Sequence, residues 1–456
     1  MNLPRYMELY EQMKRLISEG HYQEGMKLPS KRKLAESLKI SPLTVEAAYG
    51  QLIAEGYVYA IEKKGYFVRE QVDLIEPDEK VTFSFEPEER LTHHFRYRFQ
   101  TNVVDTSLFP HSTWKKLSRE VLSENYEEML NVVHPQGVQA LRVEIAKYLN
   151  LYRGISVHPS QIIIGSGSTS LIGLIVEMIG RHKTYAIENP SYPKIYHLFK
   201  SNDVKLHPID LDDFGINMHS IKQIGPNVIH VTPSHQFPMG ITMPIQRRNE
   251  LINYVSSTED RWIIEDDYDS EFRYQGKPIP ALKSLDYHDR VIYMNTFTKT
   301  LAPSFRMSYM VLPQKLLKVY QMMSSYHGCT VPNFEQYIMT KFMSGGYFER
   351  HINRMRHHYR EKLEILMRVT AHLDVIELIG HEAGLHLVMA VKRDVSGEAL
   401  VDLAKAHDIE VSCVEHYNHL PDFKTKYPMI VIGYSGIPKD EVESAVIDLM
   451  KAWKFI

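Results

Sequence analysis

The sequence predicts a multidomain protein. A small helix-turn-helix unit with a hairpin comes first, then an α/β domain with a largely parallel sheet and a small C-terminal α+β subdomain. Three observations predict this. At 456 residues the chain exceeds one ordinary core. It opens with two short capped helices followed by an alternating stretch. From about residue 96, apolar strand-like runs alternate with helical periodicity, as in a parallel sheet covered by helices.

Residues 4–20 read as a helix, with Tyr6, Leu9, Tyr10, Met13, Leu16 and Ile17 on one face. Ser30 is a fair N-cap for a helix burying Leu34, Ala35 and Leu38. Ser41 caps the next helix, and Pro42 sits at its first position, where a missing N–H costs nothing. The run YVYAIEKKGYFV then alternates like a hairpin with Lys63, Lys64 and Gly65 at its tip. As a winged helix this unit would lay its second helix in a DNA major groove, offering Ser41, Leu43, Thr44 and Tyr49. Lys31, Arg32, Lys33, Lys63 and Lys64 would reach phosphates. Residues 71–95 are acidic, contain prolines and lack periodicity, and read as a linker.

The second part, 96–456, holds the strand-turn-helix runs QIIIGSGSTSLIGLIVEMIG and TYAIENPSYPKIYHLFKSN. Further apolar strands NVIHV, WIIED and VIYMNT each end in polar residues. Functional groups gather at the carboxyl ends of such strands. A long helical stretch is expected over about 313–372, and a small subdomain over about 320–456, with strands GLHLVMAV and PMIVIGYS.

Composition excludes several classes. Formal net charge is −3, so nucleic-acid contact has to come from a local patch. Cys329 and Cys413 suggest neither a disulfide framework nor a metal site. The N-terminus carries acids where a signal peptide has an apolar core, and no long apolar run predicts a membrane span. A cytoplasmic protein is expected.

The chemistry concentrates in 262–306. A strand ends in Asp266, Asp267 and Tyr268; the next ends in Thr296, Thr298 and Lys299; Arg306 follows. The small-residue turn Gly167-Ser168-Thr169 offers backbone N–H groups to an anion at a helix N-terminus. A carboxylate at a strand end needs a partner, and a pyridinium N–H is suitable. A buried lysine amine loses its proton readily and becomes a nucleophile. Tyr192, in ENPSYP, is a candidate to stack on a cofactor ring.

Two motif sets carry a resemblance. LPSKRKLAESLKISPLTVEAAYGQLIAEGYV with KKGYFV resembles the GntR-type winged helix. IENPSYP, TPSHQFPMG, EDDYDSEFRY and TFTKTLAPSFRMSYMVLP resemble the type I pyridoxal-phosphate (PLP) fold of aminotransferases, in the form found in the MocR subfamily of GntR regulators. The resemblance implies that Lys299 forms the internal aldimine with PLP and that Asp266, rather than Asp267, pairs with the pyridine nitrogen. It further implies that Tyr268 contacts the ring oxygen, that Thr296, Thr298, Arg306 and the 166–169 turn hold the phosphate, and that Tyr192 stacks. It also implies operator DNA and a homodimer as partners.

Two departures count against efficient transamination. Phe237-Pro238-Met239-Gly240 replaces the aminotransferase Asn-Pro-x-Gly, and Val431 stands where an arginine would grip a substrate carboxylate. His235, His386 and Lys194 are possible substitutes. The expectation is therefore a PLP-dependent transcriptional regulator that senses PLP, an amino acid or a dipeptide, with weak transaminase activity at most. The rival readings are a true aminotransferase with an accessory DNA-binding domain and a degenerate dimerisation scaffold.

Overall fold

The computed structural model describes residues 4–70, 94–124, 126–274, 276, 279–421 and 423–456. Two compact units divide the chain, Met1–Leu91 and Thr92–Ile456. Of the expected linker, residues 71–93 lie outside the described residues.

In the first unit α1 (Arg5–Ser18) buries Leu9, Tyr10, Met13 and Ile17, the stripe that helical spacing dictates. α2 (Lys31–Leu38) starts where Ser30 Oγ accepts from the Lys33 amide, and ends in left-handed Lys39. α3 (Pro42–Ala54) starts where Ser41 Oγ accepts from the Leu43 amide. β1 (Val58–Ile61) and β2 (Gly65–Val68) form the hairpin. Leu38 does not join the core as expected. It is the last residue of α2, just before the chain reverses, and stays 41 % exposed.

The second unit opens with β3 (Tyr97–Arg98) and α4 (Gln139–Arg153). Then follow β4 (Ile162–Gly165), α5 (Ser168–Ile179), β5 (Thr184–Asn189), α6 (Pro193–Ser201), β6 (Lys205–Asp212) and β7 (Gly215–Ile216). β8 (Val228–Val231), β9 (Trp262–Asp266), β10 (Val291–Thr296) and β11 (Ser308–Val311) complete one eight-stranded sheet, ordered β4-β11-β10-β9-β8-β5-β6-β7. β10, β9, β8, β5 and β6 run parallel, whereas β11 and β7 are antiparallel to their neighbours. The parallel core reads as continuous apolar runs because helices cover both faces. Its strands deliver Asn189, Val231, Asp266 and Thr296 to one edge.

The expected helical stretch is three helices: α7 (Gln314–Met323), α8 (Asn333–Ser344) and α9 (Tyr347–Thr370). Gly345-Gly346, the latter at φ 65°, separates the last two. β12 (Ile376–Ile379), β13 (His386–Val391), α10 (Gly397–Lys405), β14 (Ile409–Glu410), β15 (Ser412–Cys413), β16 (Met429–Gly433) and α11 (Val442–Ala452) follow. β12, β13, β16 and β15 make an antiparallel four-stranded sheet.

Packing locates the subdomain differently from the expected start near 320. Ile338, Met339 and Phe342 of α8, and Phe348 and Ile352 of α9, belong to a core of the large sheet. Met355, Tyr359, Leu363 and Leu366 of α9 belong to the core beneath the small sheet. Tyr97 and Phe99 join that second core, and β3 pairs with β14. The small subdomain therefore includes the chain just after the linker. No described helix is long and apolar enough to cross a membrane.

Candidate functional site

At the carboxyl edge of the large sheet lies a cavity of about 260 Å³. β9 and β10 bring Asp266, Tyr268, Thr296, Thr298 and Lys299 to its wall. The turn before α5 brings Gly167 and Ser168, the start of α6 brings Tyr192 and Lys194, and Arg306 comes from the loop before β11. Thr169 is the second residue of α5 and is off the wall.

Lys299 is buried. Its Nζ donates to the Thr101 carbonyl at 2.5 Å and approaches Asn102 Oδ1 at 3.5 Å. Burial lowers its pKa to about 8, against the smaller opposing effect of Asp269. The two neighbouring acids separate. Asp267 is taken by Arg153 Nε at 2.8 Å and by the Tyr293 hydroxyl at 2.6 Å, away from the cavity. Asp266 faces the cavity, and its Oδ2 is 3.5 Å from His230 Nε2. Tyr268 donates to the His235 carbonyl at 3.0 Å. Tyr192 accepts from Asn102 Nδ2 at 2.7 Å, which fixes its hydroxyl at the wall.

The opposite end suits an anion. Arg306 adopts left-handed φ 47° and donates to the Ser166 carbonyl at 3.2 Å. Gly167 sits at φ +92°, and a Cβ there would approach Arg306 Nη2 to 3.3 Å. Only glycine suits that backbone beneath the guanidinium. Thr296 and Thr298 share a hydroxyl contact of 2.7 Å. Lys194 stands nearby, its pKa lowered by burial and then by Arg306. With the N-terminus of α5, these are the donors a phosphate requires.

Sequence reasoning missed Thr101, Asn102, Glu188, His230, Asp269 and Ser308, all on the wall. Glu188 and His230 interrupt apolar strands, which was a readable signal. Thr101 and Asn102 gave none, because they lie in an aperiodic stretch after the linker. Glu188 Oε1, His230 Nε2 and Ser308 Oγ are buried without a hydrogen-bond partner among the described residues. An orphaned buried polar atom costs about 1–3 kcal/mol, so this wall is shaped for a polar ligand.

Val431 is buried in β16 and is absent from the wall. The small subdomain contributes Leu385 and His386 instead. Burial holds His386 well below the usual imidazole range, with His235 and Lys299 adding to it. His235 is pulled the other way: burial opposes its charge, but Asp269 at 2.9 Å outweighs that and raises it. Of the proposed carboxylate substitutes, Lys194 and His386 face the cavity and His235 does not.

In the first unit Arg32, Lys33, Ser41, Leu43, Lys63 and Lys64 are exposed and Thr44 is half-buried. Lys31 is tied to Glu46 at 2.6 Å. Tyr49 is a correction. It lies on the Val45-Ala48-Tyr49-Leu52 stripe of α3, is 1 % exposed and donates to the Pro29 carbonyl at 2.9 Å. Its ring also meets Tyr66 edge-on. Tyr49 builds the core and reads no base.

Residues 5–68 match the gntR family of bacterial regulatory proteins, and residues 99–425 match the class I and II aminotransferases. The HTH-type transcriptional regulator YdeL of Bacillus subtilis is 36% identical, covering 100% of this chain and 98% of its own. The chain belongs to the MocR subfamily of GntR-type transcriptional regulators. The HTH-type pyridoxine biosynthesis transcriptional regulator PdxR of Corynebacterium glutamicum is 28% identical over 90% of this chain and 88% of its own. For the larger unit, a solved kynurenine aminotransferase of Pyrococcus horikoshii superposes with TM-score 0.70 at 23% identity, covering 80% of this chain and 91% of that one. As a MocR-type regulator the protein binds operator DNA through its GntR unit.

Proposed function

We propose that this MocR-type regulator binds PLP in the cavity and uses Lys299 to report its ligand to the DNA-binding unit. The observation that carries this reading is the convergence of Lys299, Asp266 and Arg306 on one cavity. PLP, when bound, would supply an aldehyde that accepts an amine and a ring that withdraws electrons. Lys299, already low in pKa, is the amine of this chain. Asp266, backed by His230, holds the ring-nitrogen proton. Tyr268 would turn its one hydroxyl proton from the His235 carbonyl to the ring oxygen. Arg306, Lys194, Thr296, Thr298, Ser168 and the first amides of α5 hold the phosphate, and Tyr192 packs on the ring.

The coupling runs through residues 99–104, which form a strap. Its Thr101 carbonyl caps Lys299. Asn102 adds a second tie to the large domain by donating to the Tyr192 hydroxyl at 2.7 Å. Toward the small subdomain, the Gly433 amide donates to the Phe99 carbonyl at 3.0 Å, and Ser435 Oγ to the Val103 carbonyl at 2.6 Å. Engaging the Lys299 amine removes the donor from Thr101. Of these two ties to the large domain, the strap, which follows β3, then keeps only Asn102–Tyr192. In a homodimer such a change alters the fit of two GntR units to two half-sites.

PLP itself is the favoured effector, since among the described residues no arginine on the wall is left for a substrate carboxylate once Arg306 holds phosphate. The likeness to PdxR supports this, with an amino acid or dipeptide as the alternative ligand. The test titrates PLP into apo-protein while measuring operator affinity and the absorption spectrum. Cofactor-dependent affinity that disappears in Lys299→Ala is expected. An affinity indifferent to PLP and unchanged in that variant would overturn the reading. Conversion of bound cofactor to its amine form on adding amino acids would favour the aminotransferase reading.

A further inference from the structure

A second cluster of ligating side chains lies outside the cavity and has no part in the function above. Cys413 ends β15, and the turn after it carries Glu415 and His416. Glu398, in the first turn of α10, meets them. Cys413 Sγ is 3.7 Å from Glu398 Oε1, and His416 Nε2 is 2.9 Å from the same oxygen. The three ligand atoms lie within 4.8 Å of one another. Glu415 lies beside this group, on the Cys413 side of Gly397. A Cβ on Gly397 would strike Glu415 Oε2 at 2.8 Å and Cys413 Cβ at 2.9 Å, so the glycine is what lets α10 come this close. That Oε2 is buried and accepts no hydrogen bond among the described residues. Neither Glu398 nor Glu415 has a lysine or arginine within ion-pair distance among the described residues.

The bland alternative is a surface Glu398–His416 pair over a buried thiol. It leaves Glu415 Oε2 buried beside Gly397, with no hydrogen-bond partner among the described residues. We propose that Cys413, His416 and Glu398 form a three-ligand binding site, with an open fourth position, for a borderline-soft divalent cation of the zinc class. Thiolate, imidazole and carboxylate together select zinc over the hard, all-oxygen cations. Bonds of about 2.0–2.3 Å give tetrahedral edges of about 3.3–3.8 Å. The Cys413–Glu398 separation already fits such an edge. The His416–Glu398 contact has to open by a few tenths of an ångström, and both side chains are exposed and free to do so. Binding breaks the Cys413 S–H bond, forms the sulfur–metal bond and gives one proton to solvent.

The turn that would carry the metal also touches the cofactor cavity. The Tyr417 carbonyl accepts from the Ser191 amide at 3.0 Å, next to Tyr192, and the Tyr417 ring packs on Phe237. Asn418 Oδ1 accepts from Asn189 Nδ2 at 2.9 Å. A metal would staple this turn to α10.

The test is titration of the full-length protein with cobalt(II) alone, read by thiolate-to-cobalt charge-transfer absorption. One equivalent giving that band is expected, with the band kept in Cys329→Ser and lost in Cys413→Ser. Because Cys413 is buried, the exposed variants His416→Ala and Glu398→Gln provide a second reading. Each is expected to weaken cobalt binding by about tenfold or more. Absence of the band in the native chain, its persistence in Cys413→Ser, or unchanged affinity in both exposed variants would overturn the proposal.

Discussion

Tyr49 and Lys64 show what separates a structural residue from a functional one on the same motif. Tyr49 spends its hydroxyl on Pro29 and its ring on Tyr66. Tyr49→Phe should cost about 1 kcal/mol of stability in thermal denaturation and leave the operator affinity of the folded protein unchanged. Lys63→Ala and Lys64→Ala should do the reverse. They should weaken operator binding across sequences and lower the salt slope by about 1 each, measured by binding at several salt concentrations. Lys299 makes a pH prediction. Folded, its pKa is about 8, depressed by burial from 10.5. Cofactor attachment needs the neutral amine, so its rate should rise through a midpoint near pH 8. The unfolded chain keeps that proton to higher pH, so this residue's share of stability increases as pH climbs from about 8 to 10.5. Glu271 has the opposite slope. Burial, then Asp267, raises it from 4.5 to about 7, so the folded state holds its proton more tightly. Its contribution is present below pH 4.5 and lost as pH rises through 7. Glu271→Gln should therefore raise the melting midpoint by about 1–3 °C at pH 8 and by less at pH 5.5, read by calorimetry.

At the scale of elements, the strand ends were legible and the strap was not. Asp266, Thr296 and Lys299 terminate apolar runs, and a sheet strand has only one carboxyl end at which to place them. That physics is local, so the sequence shows it. It also explains why Asp266 could not be separated from Asp267 by the residues alone. Consecutive side chains point to opposite sides, and only the position of Arg153, far upstream, shows which one is taken. β3 and β14 are two residues each and lie over 300 positions apart, too short to leave a period. Tyr49 was legible in principle, since Val45, Ala48, Tyr49 and Leu52 fall at helical spacing on one face. The strap's seat offers an element-scale prediction. A Cβ on Gly433 would come within 2.2 Å of the Gln100 carbonyl oxygen. Gly433→Ala should unseat the strap at a cost of about 1–3 kcal/mol and speed amide exchange over residues 97–104, measured by mass spectrometry.

For the whole molecule, two independent motif sets in fixed order made the family readable. The fold of each unit followed, because each brings its own core. The cluster around Cys413 was not readable. Two isolated cysteines gave no metal spacing, and Glu398 reaches Cys413 only because Gly397 permits close packing of α10.

The 24 residues of α9 are shared between two cores, Ile352 facing one and Met355 the other. A rod divided in this way would pivot near residue 353 if the two cores shifted against each other. The arm to Thr370 is about 26 Å long at 1.5 Å per residue. A tilt of about 5° would move its far end by about 2 Å, a distance set by that length. Lys362 and His358, partway along the arm, grip Asp105 at 2.8 and 3.1 Å. Asp105 is the residue immediately after the strap, and at Lys362, about 14 Å from residue 353, the same tilt would amount to about 1 Å at the strap's end.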